Sequence, residues 1–188
     1  MSASHPQAGR LPRGGSLLGN RLKEAGRAML APLVRLAQRL GITPNRVTII
    51  GFVVVAMAAA LVAMGQLLAG TIILVAGSLL DAVDGALARA TGGTTPFGGF
   101  LDSTLDRAAE AILYAGLIIY FLRVDADPIW PVALALAALC GSFMVSYTRA
   151  KAEALGFAAG SGLMNVGFAP REVRLAILAL GLIMTASA

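Results

Sequence analysis

The sequence has few of the residues that enzymes most often use for catalysis. It contains one cysteine and one histidine among 188 residues, and only 13% of its residues are charged. A single Cys140 excludes a disulfide framework within the chain. A single His5 in a polar tail leaves histidine catalysis and a histidine-based metal site without the residues they need. Any active site must therefore be built from other polar groups.

Apolar residues dominate the composition. The chain is 57% hydrophobic with a mean hydropathy of +0.79, which indicates one helical membrane domain rather than a soluble protein. The net charge of +5 could suggest nucleic acid, but its distribution favours anionic membrane lipid as the partner and not nucleic acid. Eight basic residues precede the first apolar run: Arg10, Arg13, Arg21, Lys23, Arg27, Arg35, Arg39 and Arg46.

The chain divides into three segments. Residues 1–16 are rich in Gly, Ser, Pro and Arg and are predicted to be disordered. Residues 17–41 carry apolar side chains at helical spacing, which predicts an amphipathic helix in the membrane interface, bent or interrupted near Pro32. A helix packed on a partner protein would show the same pattern. Residues 42–188 are predicted to form a transmembrane catalytic domain.

The third segment predicts an all-α, polytopic bundle of transmembrane helices. Four spans are expected, and a fifth run of 14 residues falls short of the roughly 20 needed to cross a bilayer. If the amino terminus lies inside the cell, every basic residue except Arg123 falls on the cytoplasmic side. The predicted runs are 47–64, 68–90, 99–122, 129–145 and 175–188.

Four of the ten acidic residues lie in one stretch between membrane-grade apolar runs. Asp81 and Asp84 are three residues apart, and Asp102 and Asp106 are four apart, so each pair shares one helix face. A short, breaker-rich connection at 91–97 predicts that the two helices are antiparallel neighbours with both pairs facing each other.

Acidic residues inside a membrane need an interaction that offsets the free-energy cost of placing them there. An aspartate at a bilayer centre costs roughly 2.5 to 3.5 kcal/mol, and four carboxylates also repel one another. A hard cation with oxygen ligands relieves both costs, so the sequence predicts a Mg²⁺ or Mn²⁺ site. Acids that dip into the headgroup layer are one alternative. A divalent-cation transporter is another, although the acids cluster near one end and have no counterpart in the other half of the chain.

The pattern D-x2-D-G-x2-A-R-x8-G-x3-D-x3-D resembles the signature of the CDP-alcohol phosphotransferase family. Members of that family have six spans behind an amphipathic helix and usually pair as homodimers. Five apolar runs are visible here, so the resemblance leads us to expect either further chain beyond Ala188 or a reduced variant. The matching positions are Asp81, Asp84, Gly85, Ala88, Arg89, Gly98, Asp102 and Asp106.

The resemblance also implies roles for these residues. The four aspartates would hold one or two divalent ions, and Asp106 would be the general base that takes the proton of an acceptor hydroxyl. Asp106 as a metal ligand alone is the alternative. The T-P-N-x-V-T stretch resembles the start of the family's first membrane helix, although a plain helix cap fits it equally well. The implied nucleotide-binding residues are Asn45, Thr48, Gly85, Ala88, Arg89 and Gly98.

Basic residues at the end of the fourth span and before the fifth run suit an acceptor that bears a phosphate. The stretch S-Y-T-R-A-K-A-E, with R-x2-R later, resembles the phosphatidylinositol phosphate synthases of this family, which join CDP-diacylglycerol to inositol 1-phosphate. Glycerol 3-phosphate is the alternative acceptor, and positive-inside topology alone could also explain the cations. The enzyme is expected to face the cytoplasm from a prokaryotic plasma membrane. The candidate acceptor-binding residues are Ser146, Arg149, Arg171 and Arg174.

Overall fold

The described part of the chain is entirely helical where it is regular. The computed structural model describes residues 17–156 and 171–186, with side chains from residue 28 and from residue 173 onward in these two segments. The predicted disordered tail at 1–16 lies outside the described residues. The six helices are α1 (Leu17–Arg39), α2 (Pro44–Ala63), α3 (Leu67–Thr91), α4 (Pro96–Val124), α5 (Ile129–Ala154) and α6 (Arg171–Ala186).

The helices match the five predicted apolar runs and form a membrane helical bundle, which confirms the predicted fold class. By length and composition α2, α3 and α5 can each cross a membrane. Helix α4 has 29 residues, enough for about 43 Å, but its first half carries several charged side chains. Helix α6 offers only a shorter apolar stretch, Val173–Ala186. The chain is an integral membrane protein.

Helix α1 runs without a break through Pro32, so of the bend or interruption predicted there, the interruption is wrong. Proline removes one backbone donor, and the helix bonds on either side are enough to continue it. The helix ends at Arg39, and Gly41, with a φ of 62°, lies in the turn that follows it. There the amide of Ile42 donates to the carbonyl of Ala37 at 3.0 Å.

One edge of α1 packs on the membrane domain of its own chain. Val34 and Ala37 are buried with Val83 and Leu87 of α3 in one apolar cluster. Other large apolar side chains remain exposed among the described residues, as expected of a helix that meets lipid in the interface. They are Met29, Leu33 and Leu36 of α1 and Leu40 in the turn after it.

Helix α2 is the centre of the bundle, because it packs extensively against both α3 and α4. Small residues allow these close approaches. A Cβ added at Gly77 would lie 2.7 Å from Val55 Cγ2, and one added at Gly70 would lie 2.8 Å from Val62 Cγ2. Gly116 of α4 sits directly against the Ala59 carbonyl. Glycines thus fix α3 and α4 on the surface of α2.

The prediction that α3 and α4 pack as neighbouring helices is wrong along most of their length. Both pack on α2, and direct packing between them is slight in the described residues. They come together at the turn that joins them, where Gly92 has a φ of 64° and ends α3. Thr95 Oγ1 accepts the Gly98 amide at 2.9 Å and starts α4. This turn brings the acidic end of each helix to the same place.

Candidate active site

Three carboxylates meet where α3 and α4 approach each other. Asp81 of α3 and Asp102 and Asp106 of α4 are half-buried and each offer an oxygen within 4.8 Å of the others. Such a group repels itself, and a carboxylate-only donor set suits a hard divalent cation. The residues present therefore fit Mg²⁺ or Mn²⁺, the ions predicted from the sequence.

Asp84 occupies a separate position beside this group. Its side chain is only 6% exposed, and its Oδ2 has no hydrogen-bond partner among the residues that the structure describes. A buried carboxylate oxygen without a partner is costly, and a bound cation would satisfy it. The structure thus brings three of the four predicted ligands together and leaves Asp84 on the wall of an adjoining cavity.

Cation binding at these carboxylates should be visible without any substrate. We expect saturating Mn²⁺ to raise the Tm of the purified protein by about 5 °C, because an ion bound only to the folded state stabilises it by on the order of 2 to 3 kcal/mol. Asp81→Asn should lose most of this shift. Asp127→Asn, a control in the exposed turn after α4, should keep it. An equal shift in wild type and Asp81→Asn would contradict the assignment.

The adjoining cavity has a volume of about 190 Å³ and lies between the start of α2, the end of α3 and the start of α4. Asp84 and Asp102 also line it, so it opens onto the carboxylate group. All six residues predicted to bind a nucleotide contribute to its wall. They are Asn45, Thr48, Gly85, Ala88, Arg89 and Gly98.

Two glycines keep this cavity open. A Cβ added at Gly85 would lie 3.4 Å from Arg89 Nη1, so the guanidinium of Arg89 extends over a position without a side chain. A Cβ added at Gly98 would lie 3.1 Å from Thr95 Oγ1 and 3.2 Å from the side-chain oxygen of Asn45. The arrangement leaves room for a flat or anionic group against the backbone, with a guanidinium at its edge.

A polar contact ties α5 to the carboxylate group. Arg107 Nε donates to Ser146 Oγ at 2.7 Å, and Arg107 Nη1 lies 3.4 Å from Asp106 Oδ2. The structure therefore places Ser146, a predicted acceptor-binding residue, one side chain away from Asp106. Arg149 lies further along α5 with an exposed side chain. Arg171 begins α6, but its side chain is outside the described part.

Arg174, the remaining predicted acceptor-binding residue, is paired with an acid that was not predicted from the sequence. Arg174 Nη2 donates to Glu110 Oε1 at 2.7 Å. Ser142 Oγ donates to Glu110 Oε2 at 2.6 Å, and Glu110 itself is 2% exposed. The available signal was the spacing of Asp102, Asp106 and Glu110, which places all three on one stripe of α4.

A larger and mainly apolar cavity of about 790 Å³ lies between α4, α5 and α6. Tyr114, Trp130 and Ile177 are among its lining residues, and Ser142 and Arg174 provide polar groups on its wall. This cavity was not predicted from the sequence. A cavity of this composition can take alkyl chains next to a cation.

Comparison with known proteins identifies the class. Residues 41–187 match the family model of the CDP-alcohol phosphatidyltransferases. The chain is also similar to the archaetidylinositol phosphate synthase of Pyrococcus horikoshii, with 46% identity over 151 residues that cover 78% of this chain and 74% of the relative. The chain belongs to the CDP-alcohol phosphatidyltransferase family, which confirms the resemblance found in the sequence.

Solved structures agree with this classification. The crystal structure of Mycobacterium tuberculosis phosphatidylinositol phosphate synthase with CDP-DAG bound is similar to this chain, with a TM-score of 0.72 and 36% identity over 82% of this chain and 75% of that one. The same enzyme in complex with manganese and citrate gives a TM-score of 0.63 and 31% identity, covering 84% of this chain and 85% of that one.

Proposed function

We propose that this protein transfers the phosphatidyl group of CDP-diacylglycerol to inositol 1-phosphate, giving phosphatidylinositol phosphate and CMP. One observation carries the proposal: the cavity lined by all six predicted nucleotide-binding residues shares Asp102 with the carboxylate group. A nucleotide diphosphate bound there would have its phosphates beside those carboxylates. The relatives named as inositol phosphate lipid synthases support the choice of acceptor.

In this proposal Asp81, Asp84, Asp102 and Asp106 hold one or two Mg²⁺ or Mn²⁺ ions. When bound, such ions neutralise the charge on the diphosphate oxygens and on the leaving CMP. Arg89, which also lines the cavity, binds a phosphate. Gly85 and Gly98 admit the cytidine, and Asn45 and Thr48 offer polar contacts to it.

Asp106 is the general base of the proposed reaction. It accepts the proton of the acceptor hydroxyl as the oxygen of that hydroxyl attacks the phosphorus nearest the lipid. A new phosphorus–oxygen bond forms, the bond to the bridging oxygen of the diphosphate breaks, and CMP leaves. Arg107, which lies beside both Asp106 and Ser146, offsets part of the negative charge gathered at this point.

The acceptor's own phosphate lies on the α5 and α6 side in this proposal. Arg107 contacts both Ser146 and Asp106. Arg174 contacts Glu110, which lies one helical turn along α4 from Asp106. Arg149 and Arg171 add positive charge near the same end of these helices. An acceptor without a phosphate would gain nothing from these cations, so the site favours a phosphorylated polyol.

The orientation and assembly of the protein are part of the proposal. The distribution of basic residues supports an active site that faces the cytoplasm from the plasma membrane. The exposed apolar side chains of α1 support a segment at 17–41 that lies in the interface ahead of the catalytic domain at 42–188. A homodimer, usual in the family, is the proposed assembly.

A methyl group at Gly98 should weaken binding of the nucleotide substrate. Gly98→Ala would press on Thr95 and Asn45 inside the cavity, so we expect the KM for CDP-diacylglycerol to rise roughly fivefold, equivalent to about 1 kcal/mol. The KM for inositol 1-phosphate should stay within about twofold of wild type. Gly181→Ala, on an open face of α6, is the matched control. A change confined to the acceptor KM would contradict this cavity assignment.

The proposed function is tested by the acceptor requirement for CMP release. Purified protein in detergent, with Mn²⁺ and CDP-diacylglycerol, is given inositol 1-phosphate, glycerol 3-phosphate, free inositol or serine. We expect release with inositol 1-phosphate and background levels with the others. Release with glycerol 3-phosphate alone would move the specificity within the same family, and release with serine or free inositol alone would overturn the role given to the cations.

A further inference from the structure

Glu110 is an unusual residue for its surroundings. It is a carboxylic acid in a membrane domain, 2% exposed, and it belongs to neither the carboxylate group nor the nucleotide cavity. Both of its oxygens are used, one by Arg174 of α6 and one by Ser142 of α5. A buried ion pair often contributes little net stability, so its presence calls for another explanation.

The position of Glu110 links the two halves of the proposed active site. It lies one helical turn beyond Asp106 on the same stripe of α4. Beside it, Arg107 reaches Ser146 at 2.7 Å, one turn along α5 from Ser142. Two polar contacts therefore join α4 to α5 one helical turn apart, Arg107 with Ser146 and Glu110 with Ser142. Arg174 of α6 also contacts Glu110.

We propose that Glu110 is a positioning residue that sets the Arg174 guanidinium for the phosphate of the acceptor. This inference rests on the proposed function. An arginine side chain has several rotatable bonds, and ordering it costs conformational entropy. The ion pair with Glu110 orders the Arg174 side chain before the acceptor binds. The contact with Glu110 is made by Nη2 of a planar guanidinium, a group whose geometry allows it to bind a carboxylate and a phosphate together.

A purely structural role makes different predictions. An ion pair that only held α6 against the bundle would, when weakened, lower the Tm and disturb kcat and both KM values together. A positioning role acts on one substrate, because the nucleotide cavity contains neither Glu110 nor Arg174. The ratio of the two KM values therefore separates the two roles.

The test uses Glu110→Gln in the full chain, a change that keeps the size of the side chain and removes its charge. We expect the KM for inositol 1-phosphate to rise roughly tenfold, with kcat and the KM for CDP-diacylglycerol within about twofold of wild type. Arg174→Ala should raise the same KM. Adding Glu110→Gln to Arg174→Ala should raise it no further, since both substitutions remove one interaction.

Two serine variants complete the experiment. Ser142→Ala removes one bond to Glu110 while leaving the ion pair, so we expect a roughly threefold rise in the KM for inositol 1-phosphate. It also serves if Glu110→Gln fails to fold. Ser78→Ala is the control, because Ser78 Oγ donates within its own helix to Leu74 at 3.0 Å.

The outcomes separate this inference from the proposed function. A wild type that makes no CMP with inositol 1-phosphate overturns the proposed function and this inference with it. A working wild type whose acceptor KM is unchanged in Glu110→Gln, or in Ser142→Ala where the first does not fold, overturns this inference alone. Additive effects of Glu110→Gln and Arg174→Ala, or equal rises in both KM values, also overturn it.

Discussion

Asp106→Asn should retain binding of CDP-diacylglycerol and lose turnover, with kcat lower by about 10³-fold. Asparagine fills the same space but cannot accept the proton of the acceptor hydroxyl, and a positioned general base contributes roughly 10² to 10⁴ in rate. Asp106 lies in the carboxylate group with Asp81 and Asp102, so the substitution also removes one possible cation ligand. CMP release under saturating substrates measures the effect.

The comparison with Asp81→Asn distinguishes a base from a ligand. If Asp106 only binds the cation, raising the Mn²⁺ concentration should restore much of the activity of Asp106→Asn, as we expect for Asp81→Asn. If Asp106 is the base, activity should stay low at every Mn²⁺ concentration. Normal turnover by Asp106→Asn at ordinary Mn²⁺ would refute both roles.

Gly116→Ala should destabilise the fold strongly, although it adds only one methyl group. Gly116 is buried where α4 crosses α2, and an added Cβ would overlap the backbone carbonyl of Ala59. A backbone atom cannot rotate away as a side chain can, so the two helices must move apart. We expect a loss of about 3 kcal/mol, which corresponds to a fall in Tm of roughly 10 °C in detergent.

Gly181→Ala is the matched control for this prediction. Among the described residues, nothing lies within 4 Å of a Cβ added at Gly181 on α6. The alanine removes the helix penalty of glycine, so its Tm should equal or slightly exceed that of wild type. Equal Tm values for Gly116→Ala and Gly181→Ala would show that the α2–α4 crossing is looser than the structure indicates.

Local sequence patterns predicted α2, α3, α4 and α5 well because their apolar runs are long and bounded by breakers. The start of α6 was missed by four residues, since Arg171 and Arg174 interrupt the apolar pattern on which that prediction depended. The interruption at Pro32 was predicted from a local rule, but the helix continues past it. Helices α3 and α4 pack on α2 at their glycines and pack little on each other. The periodicity of the apolar residues does not indicate which helices pack together.

The candidate site was predictable where its residues are close in sequence. Asp81 and Asp84 share one helix, Asp102 and Asp106 share the next, and a short turn joins them. Glu110 and Arg174 are 64 positions apart in the sequence, and no local spacing pattern predicts a contact between them. Arg174 was predicted from its charge and from the resemblance of the R-x2-R pattern to the family, whereas its orientation depends on the packing of three helices.

Transfer of label from the acceptor into lipid tests the central claim most directly. Purified protein, CDP-diacylglycerol and Mn²⁺ are incubated with inositol 1-[³²P]phosphate, and both chloroform-soluble label and CMP are measured. We predict one labelled lipid per CMP released, and a rate of labelling lower by about 10³-fold with Asp106→Asn. CMP release without labelled lipid would mean that water or another hydroxyl is the acceptor, and would contradict phosphatidyl transfer to inositol 1-phosphate.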